Sequence, residues 1–112
     1  QEMITEKEVE ASAAYIRDKS PEYAKAKAER IYLAEFRKSK LAILYNTQKE
    51  GTDKAKDSYA HAHSEYLEVL AGLSEAVEAE ETIIWRIKAA QAKIEIWRTQ
   101  QANNRRIDGS HQ

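Results

Sequence analysis

The sequence predicts an all-α protein: a long antiparallel helical hairpin with short flanking helices, coiled-coil-like and oligomeric. Three observations predict it. From Ser64 to about Asn104 there is no proline and one glycine, Gly72. Across that stretch apolar residues recur at alternating steps of four and three, which lines one stripe of a helix. The period-two alternation of β-branched residues that marks strands is missing throughout.

Taken from the N-terminus, Thr5 with Glu8 three residues on has the form of a capping box, ahead of Val9, Ala13 and Ile16. This predicts a short first helix over Glu6–Asp18. Ser20–Pro21 then reads as a restart, because serine accepts free amide hydrogens and proline suits the first helical position. Glu22 in that turn complements the positive end of the helix dipole. A second helix is expected to run to Lys49 or Glu50, with Gly51 placed to end it. Ala24, Ala28, Ile31, Tyr32, Phe36, Ala42 and Ile43 make a broad apolar face on it, with Leu33, Leu41 and Leu44 lying off that face. A helix apolar on more than one side sits between two partners, and a second protomer supplies what one chain cannot. Thr52 and Asp53 start a further short segment over Asp53–Ala62, which either flows into the last helix or breaks near His63–Ser64.

The last helix carries the strongest signal. Val69, Leu73, Ala76, Glu80, Ile83, Ile87, Ala90, Ile94 and Trp97 form its seam, and eight of these nine are apolar. These nine are the expected oligomer interface, in a dimer or tetramer. At 1.5 Å per residue the helix is roughly 60 Å long, whereas a compact domain of this size has a radius of gyration of about 13 Å. Glu80 is the exception in the seam. A carboxylate there calls for an Arg or Lys partner from a neighbouring helix, or for a position at the seam edge.

Charge is split along this helix. Glu65, Glu68, Glu75, Glu78, Glu80 and Glu81 are followed by Arg86, Lys88, Lys93, Arg98, Arg105 and Arg106 against a single Glu95. Dipole compensation acts only in the terminal turns, so the split points to two copies laid antiparallel, acidic half on basic half. The same basic residues with Trp85 and Trp97 raise a second reading, single-stranded nucleic-acid contact through Trp85, Arg86, Lys88, Lys93, Arg98, Arg105 and Arg106. Trp97 belongs to the seam and reads as core. The acidic half repels phosphate, and a formal net charge of −1 is unlike a general nucleic-acid binder.

The inventory for chemistry is thin. No cysteine is present, which removes disulfides and thiolate ligation. His61 and His63 are two apart, so a helix places them on nearly opposite sides, and no H-E-x-x-H spacing occurs. Three scattered glycines build no phosphate loop, and no nucleophile stands beside a base. Neither catalytic, cofactor-binding nor metal residues are expected, and the chain reads as no enzyme. No uncharged run approaches the ~20 residues of a membrane span, and no leader pattern opens the chain. One domain over residues 1–108 is the expectation, since 112 residues supply one modest core, with 109–112 as a flexible tail.

Two segments carry a resemblance. Glu22-Tyr23-Ala24-Lys25-Ala26-Lys27-Ala28-Glu29-Arg30-Ile31-Tyr32-Leu33, continuing through Glu35-Phe36-Arg37-Lys38-Ser39-Lys40, is the first. Ala92-Lys93-Ile94-Glu95-Ile96-Trp97-Arg98-Thr99-Gln100-Gln101-Ala102 is the second. Together they resemble small helical proteins of tailed bacteriophages, encoded in early regions near recombination or replication functions such as single-strand annealing proteins. The likeness covers most of residues 20–105. It implies a phage protein in the host bacterial cytoplasm, acting through a phage or host protein partner, and it transfers no catalytic residue. The expected function is a non-enzymatic interaction module, an accessory in phage DNA replication or recombination. The alternatives are the nucleic-acid contact above and a structural or assembly component.

Overall fold

The computed structural model describes residues 2–110. They form three helices, α1 (Glu6–Thr47), α2 (Asp53–Ala62) and α3 (Ser64–Ser110), and no strand among the described residues. No helix is long and apolar enough to cross a membrane.

The expected capping box forms. The Thr5 backbone N–H donates to the Glu8 carboxylate at 2.8 Å, and the Glu8 N–H donates back to the Thr5 hydroxyl at 3.1 Å. Beyond it, the two helices expected over residues 6–50 are one. α1 runs 42 residues through Pro21 without a restart. Ser20 does not cap anything, because its hydroxyl turns back to the Ile16 carbonyl at 2.5 Å. Proline inside a helix costs about 3 kcal/mol, and a seam that runs straight across it offsets that cost. Val9, Ser12, Ile16, Lys19, Tyr23, Ala26, Arg30, Leu33, Arg37, Lys40 and Leu44 follow in steps of three and four, and every one is buried or half-buried.

This seam corrects the expected facing of α1. Ala24, Ala28, Ile31, Tyr32, Ala42 and Ile43 lie exposed, while Leu33, Leu41 and Leu44, set aside as off the face, are half-buried or buried. The inward positions hold Arg30, Arg37 and Lys40, whose stems cover apolar surface while their heads reach polar partners.

α1 stops at Thr47, a turn earlier than Glu50. The Thr47 hydroxyl donates to the Leu44 carbonyl at 2.6 Å, and Gly51 at φ +113° turns the chain in a conformation that side chains resist. The Thr52 hydroxyl then caps α2 by accepting the Ala55 N–H at 3.1 Å. The open question of the next junction resolves as a break. His63 is extended (φ −67°, ψ 137°), and its Nδ1 accepts the Glu65 N–H at 3.0 Å to start α3. The Leu67 N–H bonds the His63 carbonyl at 3.1 Å, the first bond of the new helix ladder.

On α3 the expected seam is real as a line of burial. All nine positions from Val69 to Trp97 are buried or half-buried, Glu80 and Ile87 most fully. The helix extends through Gly109 and Ser110, where a tail was expected, and His111 and Gln112 lie outside the described residues.

The contacts divide the chain into two compact units. One takes in the described residues of 1–23 and 82–112, the other Ala24–Glu81. In the second, Leu44, Ala60 and Tyr66 make a buried cluster with Leu41, Tyr45 and Leu70 against it. In the first, Ile87 is the buried apolar residue, and the Ile4 N–H donates to Gln100 Oε1 at 2.9 Å.

Candidate interaction surfaces

Within the second unit, α1 meets α3 through charge as much as through hydrocarbon. The Arg30 guanidinium grips Glu80 with two hydrogen bonds, Nε to Oε2 and Nη2 to Oε1, the latter at 3.1 Å. Glu80 is only 6% exposed, so the seam carboxylate finds the neighbouring-helix arginine that its position requires. The bond from Arg30 holds the Glu80 carboxyl below its ordinary value of 4.5, against the opposing pull of burial. Further along, Lys40 Nζ donates to Glu65 at 2.7 Å and lowers that carboxyl as well. Arg37 Nη1 reaches the Tyr66 hydroxyl at 3.5 Å. As residue numbers rise on α1, the partners on α3 fall. Glu65 and Glu80 of the acidic stretch are thus engaged by basic residues of the same chain, and the acid–base complementarity read from α3 alone is met in part by α1.

What remains uncovered is the opposite side of α1. Ile31 is 47% exposed, Tyr32 61% and Ile43 53%. The Tyr32 ring stacks on Phe36, with centroids 5.9 Å apart and planes 5° from parallel. Leu67 and Val77 on α3 are also exposed. Among the described residues only Leu44, Ala60, Tyr66 and Ile87 are buried apolar residues, and no large side chain is completely withdrawn from solvent.

In the first unit the basic residues of α3, Arg86, Lys88, Lys93, Arg98, Arg105 and Arg106, are exposed. Trp85 is 61% exposed, with Lys88 Nζ 4.4 Å from its ring centroid, a cation–π contact. These residues do not converge. Arg86 and Lys93, seven apart, share one side of α3 beside a groove of about 400 Å³ lined also by Ser12, Tyr15 and Ala90. Arg98 and Arg105 lie on another side, and Arg98 is paired with Glu95 at 2.9 Å. Trp97 is half-buried and its indole N–H, buried, meets no acceptor among the described residues. It follows the half-buried line of the α3 seam.

His61 and His63 serve the α2–α3 junction. His61 Nδ1 lies 2.9 Å from the Asp57 carbonyl oxygen and its ring meets Tyr66 edge to face, while His63 caps α3. No group of three or more His, Cys, Asp or Glu capable of holding a metal occurs among the described residues. The seam of α1 is the feature that sequence reasoning missed. Its inward residues mix apolar side chains with Ser12, Lys19, Arg30, Arg37 and Lys40, so no apolar repeat marks it. Comparison with family models, characterised proteins and solved structures yields no match.

Proposed function

We propose that this chain is a non-enzymatic helical interaction protein that works as an assembly of its own copies, a dimer or tetramer, with the two long helices of each copy forming an antiparallel hairpin. One observation carries the reading: among the described residues four apolar side chains are buried and no large side chain is fully withdrawn from solvent. Such a chain retains little of the hydrophobic drive that offsets the conformational entropy of ordering long helices. Covering the remaining apolar surface with another chain supplies it. The seam of α3 contributes to that assembly from within, since the single chain already half-buries it. The resemblance to phage early-region proteins supports a role as an accessory in phage DNA replication or recombination, in the host bacterial cytoplasm, through a phage or host protein.

A second reading keeps the specific support of Trp85, a large exposed aromatic ring with Lys88 over it. Single strands stack on such rings, but the cations around it are spread over several sides of α3. Light scattering at micromolar concentration tests the first reading. A mass of two or four chains supports it, and a helical species of 12.8 kDa overturns it. Titration with a short single strand tests the second. Binding that weakens steeply with salt and is lost in Trp85→Ala would favour direct nucleic-acid contact.

A further inference from the structure

The self-association proposed above leaves open which surface the copies share. We propose that a second copy of this chain docks on the outer face of α1 in the second unit, formed by Ala24, Ala28, Ile31, Tyr32, Phe36 and Ile43. In this arrangement the two copies meet like face on like face about a two-fold axis.

Three observations choose this face. It is dense: exposed Ile31 and Tyr32 stand side by side with half-buried Phe36 one turn on, whereas the large exposed apolar residues of α3, Leu67, Val77, Trp85, Ile96 and Ile107, stand eight or more apart. It has an aromatic anchor in the stacked Tyr32–Phe36 pair, the residue types enriched at the centres of interfaces. Its charges are also compatible with a copy of itself. Glu35 and Lys38 form an ion pair within the face at 3.4 Å, and Lys25 and Glu29 flank it with one charge of each sign. The outer side of α3 over the same unit carries exposed Glu68, Glu75 and Glu78, and no Lys or Arg occurs from Ser64 to Glu81. Two such surfaces repel.

Exposure points to a second copy as the occupant. In the single chain Ile31 is 47%, Tyr32 61% and Ile43 53% exposed, and a like face on another copy covers all three at once. A surface that the fold needs covered at all times requires a partner present in equal amount, and another copy always is. Like-on-like contact also closes after one pair, while contact between two different faces continues into rings or filaments.

The chain has no cysteine of its own, so a single introduced thiol reports the interface cleanly. Full-length Ile31→Cys and Val77→Cys chains are treated separately with a short bismaleimide, then mixed and treated together. Ile31→Cys is expected to give a covalent dimer alone, and Val77→Cys to stay monomeric on denaturing gels. Ile31→Glu, a change at an exposed position, is expected to at least halve the solution mass, while Val77→Glu leaves it unchanged. If the wild type is itself a monomer, self-association falls and this face with it. If the wild type is oligomeric but Ile31→Cys does not cross-link and Ile31→Glu keeps the mass, the face is wrong and self-association stands. Cross-linking found only in the mixture of the two variants would also overturn like-on-like docking.

Discussion

Arg30 and Glu80 join α1 to α3 through a two-point grip on the least exposed carboxylate of the α3 seam. Arg30→Ala takes away the donor that grips a buried carboxylate, and Glu80→Ala takes away the acceptor of both bonds. Both single changes are expected to lower the thermal midpoint. Glu80→Leu with Arg30→Leu should recover much of the loss, since an apolar pair of similar size often equals or exceeds a buried ion pair. Thermal unfolding of the four proteins in a double-mutant cycle measures the coupling.

The same contacts set a pH dependence. Hydrogen bonds from Arg30 and Lys40 hold the carboxyls of Glu80 and Glu65 below 4.5 in the folded chain. The unfolded chain therefore binds more protons as pH falls through the ordinary carboxyl range of about 4.3. Their contribution to stability is complete above that range and is lost below it. Urea midpoints are expected to fall between roughly pH 5 and pH 3, and to fall less in Glu80→Gln.

Pro21 distinguishes one helix from two. Inside a continuous α1 its ring has no N–H to offer the Arg17 carbonyl. Pro21→Ala restores a donor and is expected to stabilise the chain by about 1–3 kcal/mol. A proline that opened a second helix would give no such gain. Urea denaturation of the variant decides between the two.

The glycines should respond in opposite directions. Gly51 sits at φ +113°, so Gly51→Ala is expected to cost about 1–2 kcal/mol in backbone strain. Gly72 is inside α3 with nothing within 4 Å of where a Cβ would stand, and Gly72→Ala is expected to add about 0.5–1 kcal/mol. The difference in urea midpoint between the two variants is the check.

Trp97 and Ile87 occupy the same seam with unequal consequences. The Trp97 indole N–H is buried without an acceptor among the described residues, so Trp97→Phe removes an unmet donor along with its bulk. Its cost is expected to stay well below the ~2–5 kcal/mol of Ile87→Ala, which empties a buried position. Equal losses by urea denaturation would show that the indole N–H is in fact satisfied.

The helical class, the capping box at Thr5 and Glu8, the turn at Gly51, the cap at Thr52 and the α3 seam were all legible in the sequence. Each rests on local chemistry or on a strong apolar repeat. The facing of α1 was not, because its inward positions include Ser12, Lys19, Arg30, Arg37 and Lys40. Reading apolar as inward turns that helix the wrong way. No apolar repeat marks the line from Val9 to Leu44, so burial in the fold, and not residue type, reveals it. Glu80 in an apolar seam correctly called for a basic partner, but only the fold shows that the partner is Arg30. The candidate nucleic-acid residues, Trp85 and the six basic residues beyond it, were legible by residue type, while their exposure comes from the fold.

Melting temperature as a function of protein concentration tests most directly whether other copies complete this fold. Association that favours the folded state raises stability by mass action, adding about 2.7 kcal/mol at a concentration roughly a hundredfold above the dissociation constant. The midpoint is therefore expected to climb steadily with concentration and to stop doing so in Ile31→Glu. A midpoint that stays fixed across the whole range in the wild type, with helicity intact at the lowest concentration, would contradict it.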